Sequence, residues 1–200
     1  MINKISSKIV EILIKHSLVG NEDKELYSYG FFIFLSQILY FIIVTTIGVL
    51  FNIILESIIF YIAFHFIRGY AGGYHAKTET RCEILSTLSI LCCIVLIKLS
   101  KMYDIRIALL SISLVFAVLI FILCPLDTPE KPLNDKEYKY FRKISWIILS
   151  LIIVAIIVSF IFIFNVVFAP CCASLILEGV LIGAGQIKKA YSKKRANSET

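Results

Sequence analysis

The stretch that decides the fold runs from Phe31 to Ile67 and reads FFIFLSQILYFIIVTTIGVLFNIILESIIFYIAFHFI. Its polar content is confined to Gln37, Asn52, Glu56, His65 and a few small uncharged residues. A helix crosses a bilayer with about 20 apolar residues, so this run is too long for one span and must fold as two. The turn is expected at Phe51-Asn52. Working outward, a third apolar run covers Ile84 to Ile97 and a fourth covers Ile105 to Leu123. The stretch from Ile144 to Gln186 is again twice the length of a span. Proline interrupts the helical hydrogen-bond ladder, which places the expected break near Asn165 to Pro170. The reading is therefore an all-α integral membrane protein with six transmembrane helices. A composition of 59% hydrophobic and only 17% charged residues agrees, because a soluble domain of 200 residues could not hide so much apolar surface.

The basic residues orient these spans. All twenty Lys and Arg can be assigned to the N-terminal segment, the joining segments or the tail. Only Lys98, Lys101 and Arg106 fall on one side. The rest, from Lys4, Lys8, Lys15 and Lys24 through Arg68, Lys77 and Arg81 to the Lys131–Lys143 cluster and the tail from Lys188 to Arg195, fall on the other. By the positive-inside rule the richer side is cytoplasmic, with both termini there. Charges set between long apolar runs do not form a nucleic-acid stripe. The N-terminal residues lack a compact apolar stretch with a small-residue cleavage site, so no signal peptide is expected. Ile2, Ile5, Ile9, Ile12 and Leu13 recur at helical spacing opposite Lys4, Lys8, Glu11 and Lys15. That pattern suits an amphipathic helix on the membrane surface or packed on the bundle. The expected organisation is one membrane domain over 1–200: a cytoplasmic amphipathic segment (1–29), a six-helix bundle (30–187) and a basic tail (188–200).

The densest polar chemistry lies between the second and third spans, from Arg68 to Glu83. Of the six cysteines, Cys92, Cys93, Cys124, Cys171 and Cys172 lie in or beside apolar runs, where a thiol behaves as a small hydrophobe. Cys82 alone has charged neighbours on both sides. Thr80 and Glu83 have capping-box spacing, which starts the third helix at Thr80 and puts Cys82 in its first turn. There the helix dipole and nearby cations favour the thiolate. His75 precedes Cys82 by seven residues, roughly 10 Å along a continuous helix and too far for a hydrogen bond. Gly72-Gly73 argues against such a helix and permits a turn that folds His75 back as general base. On spacing alone, a Cys and a His in an amphipathic loop read more readily as lipid-interface residues than as a catalytic pair. No Cys-x-x-Cys or His-Glu-x-x-His spacing is present, so neither a metal nor a cofactor is expected. The adjacent pair Cys171-Cys172 leaves a thiol-redox reading open, and Glu56 and Glu178, ionisable groups inside spans, leave open a membrane exporter of a signal peptide. Glu56 lies near the outer end of its span and can reach the interface. Glu178, near the middle of its span, would be protonated or would pair with His65 or Arg68 within the bundle.

Arg68, the run Ala71-Gly72-Gly73-Tyr74-His75-Ala76 and Cys82 together resemble the accessory gene regulator B (AgrB) family. The resemblance extends to Pro125-Leu126-Asp127-Thr128-Pro129-Glu130-Lys131-Pro132-Leu133, to the six-span layout and to the length. It implies a quorum-sensing cysteine endopeptidase that processes a small AgrD-type propeptide, with an amphipathic leader, a central signal segment and an acidic tail. By that analogy Cys82 is the nucleophile that forms an acyl-thioester, and His75 is the base. A cysteine or serine of the propeptide then closes a thiolactone or lactone ring. The resemblance further implies that Arg68, Gly72 and Gly73 support the site, and that the protein forms a homodimer among membrane lipids. Lys131, Lys136, Lys139, Arg142 and Lys143 would attract the acidic tail, although topology alone accounts for that cluster. No phosphate-binding loop is present to drive thioester formation, so product removal must pull the reaction forward.

Overall fold

A computed structural model describes residues 2–16, 18–74, 79–127 and 133–196. The helices are α1 (Ile2–Lys15), α2 (Lys24–Leu50), α3 (Ile54–Ala71), α4 (Glu79–Met102), α5 (Arg106–Leu123), α6 (Asp135–Ile161) and α7 (Asn165–Ala196). The six from α2 to α7 are long and apolar enough to cross a membrane, which is the all-α, six-span architecture expected from hydropathy. Two compact units divide the chain, Met1–Thr46 and Ile47–Thr200, with the boundary inside α2. In the first unit α1 keeps Lys4, Lys8 and Lys15 exposed and buries Ser6 and Val10. Ile5 and Ile12, expected on its apolar face, are exposed. Lys24 at the start of α2 pairs with Glu11 of α1 at 3.3 Å.

In the second unit α7 is the central helix. It packs on α3, α4, α5 and α6, and 67% of its spanning residues are buried, against 33% or less for every other span. Its sequence explains the position. Lipid tails are as apolar as leucine, so helices associate where small residues let their backbones approach. Ala169, Ala173 and Ser174 are all buried on α7. At Gly179 even a methyl group would meet the Phe116 ring of α5 at 2.4 Å. The buried hydroxyls of Ser57 and Ser174 are satisfied within their own helices, by the Ile53 carbonyl at 2.9 Å and the Cys171 carbonyl at 2.8 Å.

Two boundaries differ from expectation. The last break falls at Phe162–Phe164, with Ile163 in the left-handed region (φ 60°), while Pro170 lies inside α7. Pro170 is past the first turn, where proline is tolerated without loss, so it forgoes one ladder bond, and the helix still runs through it. The third span is also longer than its apolar run. The sequence reading puts Lys98 and Lys101 in the loop that follows; both lie on the last turns of α4. Lys98 donates to the Phe51 carbonyl at 3.0 Å, and Lys101 pairs with Glu56. Glu56 is accordingly buried, 4% exposed, and does not reach outward to an interface. Arg106 contacts Asp104 at 3.1 Å; its hydrogen bond, and then its charge, hold that carboxyl below the usual range. All three basic residues on the sparse side are thus locally partnered. The first break is where expected: α2 ends at Leu50 and Asn52 takes a positive φ of 55° in the turn.

Candidate active site

The site is built where α3 stops. Gly72 (φ 76°) and Gly73 (φ 141°) both adopt backbone conformations that disfavour a side chain. They end α3 at Ala71, so Arg68 to Cys82 is not one helix and the predicted glycine break is present. Beyond it Arg68, on the last turn of α3, reaches back over the turn. Its Nη1 donates to the Gly72 carbonyl and its Nη2 to the Tyr74 carbonyl, each at 2.7 Å. The planar guanidinium fork suits two diverging carbonyls in a way an ammonium does not. Gly73 leaves the room for it, since a Cβ there would stand 1.7 Å from Arg68 Nη1.

Two further elements grip the same turn. The Tyr74 amide donates to the Leu181 carbonyl of α7 at 2.9 Å, and the Leu126 amide donates to the Ala71 carbonyl at 2.8 Å. Gly185 brings α7 close; a Cβ on it would meet Leu126 Cδ2 at 2.3 Å and the Tyr74 amide nitrogen at 3.1 Å. Lys188 lies over the Tyr74 ring at 5.5 Å. Leu126 follows the cis Cys124-Pro125 bond after α5. Asp127 then accepts from the Leu133 amide at 3.2 Å and pairs with Lys189 at 3.6 Å. The segment after α5 is thereby tied to the end of α7. Beside it Cys124 is fully buried; burial pushes its thiol up, opposed by the Ser145 hydroxyl and the Arg142 charge.

Glu178 of α7 lies beneath the clamp. It is fully buried, with Oε1 3.9 Å from Arg68 Nη1. Of the two partners foreseen for it, Arg68 is the one found, while His65 stacks on Tyr61. Cys82 sits in the first turn of α4, partly exposed, between exposed Arg81 and Glu83. That helix begins at Glu79, one residue ahead of the expected start. His75, one residue beyond the clamped Tyr74, lies outside the described residues, as does Lys131. Lys136, Lys139 and Lys143 are exposed along α6. Arg142 departs from them: it turns inward over the Trp146 ring at 4.8 Å. The cysteines are free thiols, and buried Cys172 accepts from the Ser113 hydroxyl at 3.5 Å. Among the described residues no three His, Cys, Asp or Glu converge as a metal set.

Sequence reasoning did not single out Leu181, Gly185, Leu126, Lys188 or Lys189 for this site. Leu126 and Leu181 act through backbone atoms, which no side-chain pattern reveals. Gly185 had a readable signal in the small-residue run Gly183-Ala184-Gly185, which marks close helix packing.

Six apolar spans, four of them packed on the buried helix α7, with a glycine-broken polar turn clamped at one end, define a multi-pass membrane protein with a built site at the end of its bundle. The profile of the accessory gene regulator B family matches residues 6–182, and the chain belongs to that family. It is 32% identical to the putative AgrB-like protein of Clostridium perfringens strain SM101 over 171 residues, covering 82% of this chain and 80% of that one. A putative AgrB-like protein 2 from strain 13 of the same species is 31% identical over the same shares. Protein FsrB of Enterococcus faecalis is 24% identical over 75% of this chain and 60% of its own. No solved structure matches the chain significantly.

Proposed function

We propose that the chain is a membrane cysteine endopeptidase that processes an AgrD-type quorum-sensing propeptide, with Cys82 as nucleophile and His75 as general base. His75 accepts the Cys82 proton, and the thiolate attacks the peptide carbonyl preceding the acidic tail. The C–N bond breaks, the leaving amine takes the proton from His75, and an acyl-thioester remains on Cys82. A cysteine or serine of the propeptide attacks that thioester, closes the ring and returns the Cys82 thiol. The site faces the cytoplasm, and Lys136, Lys139 and Lys143, joined by Lys131, draw in the acidic tail.

The observation that carries this reading is the placement of the clamped turn immediately before His75, with Cys82 four positions into α4. The clamp holds Tyr74 and α4 begins at Glu79, so His75 belongs to a short stretch of sequence between a fixed turn and the helix that carries Cys82. Glu56 and Glu178, which would line an exporter's path, are instead both engaged by bundle cations.

The test is cleavage of the propeptide by the full chain in reconstituted vesicles. Cys82→Ala and His75→Ala are each expected to abolish cleavage while the protein remains inserted, and wild-type enzyme is expected to yield an acyl-enzyme on Cys82. Normal processing by Cys82→Ala, or a mixed disulfide in place of the acyl adduct, would falsify the assignment.

A further inference from the structure

Glu178 has a chemical oddity that the proposed reaction leaves unused. It is fully buried, and neither carboxylate oxygen has a hydrogen-bond partner. Such a group is costly unless a cation offsets it. Arg68 stands 3.9 Å away, beyond hydrogen-bond reach, while its two terminal nitrogens donate to the Gly72 and Tyr74 carbonyls. The carboxylate therefore acts on Arg68 as a charge and not as an acceptor. A long arginine near a helix end otherwise carries its head outward to water. Here the side chain is only 21% exposed.

We infer that Glu178 is a positioning residue: its charge holds the Arg68 guanidinium inward, so that the fork grips the turn from which His75 departs. This inference rests on the peptidase reading. It makes the centre of α7, far along the chain from the Cys-His segment, part of the machinery. The gripped turn is further anchored by the Tyr74 amide on Leu181, the Leu126 amide on Ala71, the Gly72 amide on the Arg68 carbonyl and Lys188 over the Tyr74 ring. Loss of the guanidinium would free the Gly72 and Tyr74 carbonyls together.

The experiment uses the full chain in phospholipid vesicles and a synthetic propeptide with an amphipathic leader, an internal cysteine and an acidic tail. It compares the wild type with Glu178→Gln, Glu178→Asp and Cys82→Ala, reading turnover and amide hydrogen exchange over residues 69–74. Glu178→Gln is expected to speed exchange of that segment about tenfold and to lower kcat about 10- to 100-fold, with KM within about twofold, as expected for a misplaced catalytic group. Glu178→Asp, which keeps the charge, should recover part of both. Should Glu178→Gln fail to insert, Arg68→Met/Glu178→Gln removes both buried charges together and is expected to show the same fast exchange. Wild-type exchange and kcat in the Gln variant would overturn the inference, as would a loss that Asp does not relieve and that only tracks the amount of inserted protein. Processing by Cys82→Ala would sink the peptidase reading instead. The exchange measurement would then decide the clamp alone: faster in Gln and relieved in Asp upholds it, unchanged in Gln overturns it.

Discussion

At the scale of single residues, the turn that ends α3 depends on what Gly73 lacks. A methyl group there would occupy the place of Arg68 Nη1 and would require a side chain at φ 141°. Gly73→Ala should therefore lower propeptide processing at least about tenfold by displacing the guanidinium. Gly69, one turn back on the exposed face of α3, has nothing within 4 Å of a built Cβ. Gly69→Ala should leave turnover unchanged, and measuring both variants side by side separates the turn from helix propensity. Arg68→Lys keeps a charge for Glu178 but offers no planar fork, so processing should fall while insertion persists. A charge swap that leaves turnover intact would show that the two carbonyl bonds are dispensable.

At the scale of elements, the ion pair of α3 and α4 lies at the end of the bundle opposite the clamp. Lys101→Ala leaves Glu56 buried without its partner. Breaking a fully buried pair costs about 3–5 kcal/mol; with the Lys101 side chain 37% exposed, a cost of about 1–3 kcal/mol is expected, read as a lowered unfolding midpoint in mild detergent. Gly179→Ala presses a methyl group into the Phe116 ring and should destabilise the α5–α7 packing by about 1–3 kcal/mol. Neither change touches the turn, so turnover per folded molecule should stay near wild type. Reduced turnover in the folded fraction would mean that α7 transmits packing strain to the clamp.

At the scale of the whole molecule, the alternating helices of the second unit place the clamp, the start of α4, the start of α6 and the end of α7 at one end. The α4–α5 and α6–α7 turns lie at the other. In the orientation proposed from the charge distribution, the clamp end faces the cytoplasm. In intact cells a membrane-impermeant thiol reagent should leave Lys139→Cys unlabelled and should label Tyr103→Cys, both in a background without native cysteines. The reverse pattern would invert the topology and strand the site away from a propeptide made inside the cell.

Hydropathy along Phe31–Ile67 and its counterparts was enough to read the number of spans, because a bilayer leaves an apolar run of that length few alternatives to one or two helices. The glycine break and the charged setting of Cys82 were equally legible, since both are local. Tertiary structure alone decided which helix is central, where Pro170 is tolerated, and that Lys101 and Arg68 answer Glu56 and Glu178 across 45 and 110 positions of chain. The reason is physical. Local conformation follows from neighbouring residues, whereas the partner of a buried charge, and the backbone carbonyl that grips a turn, are chosen by packing between segments distant in sequence.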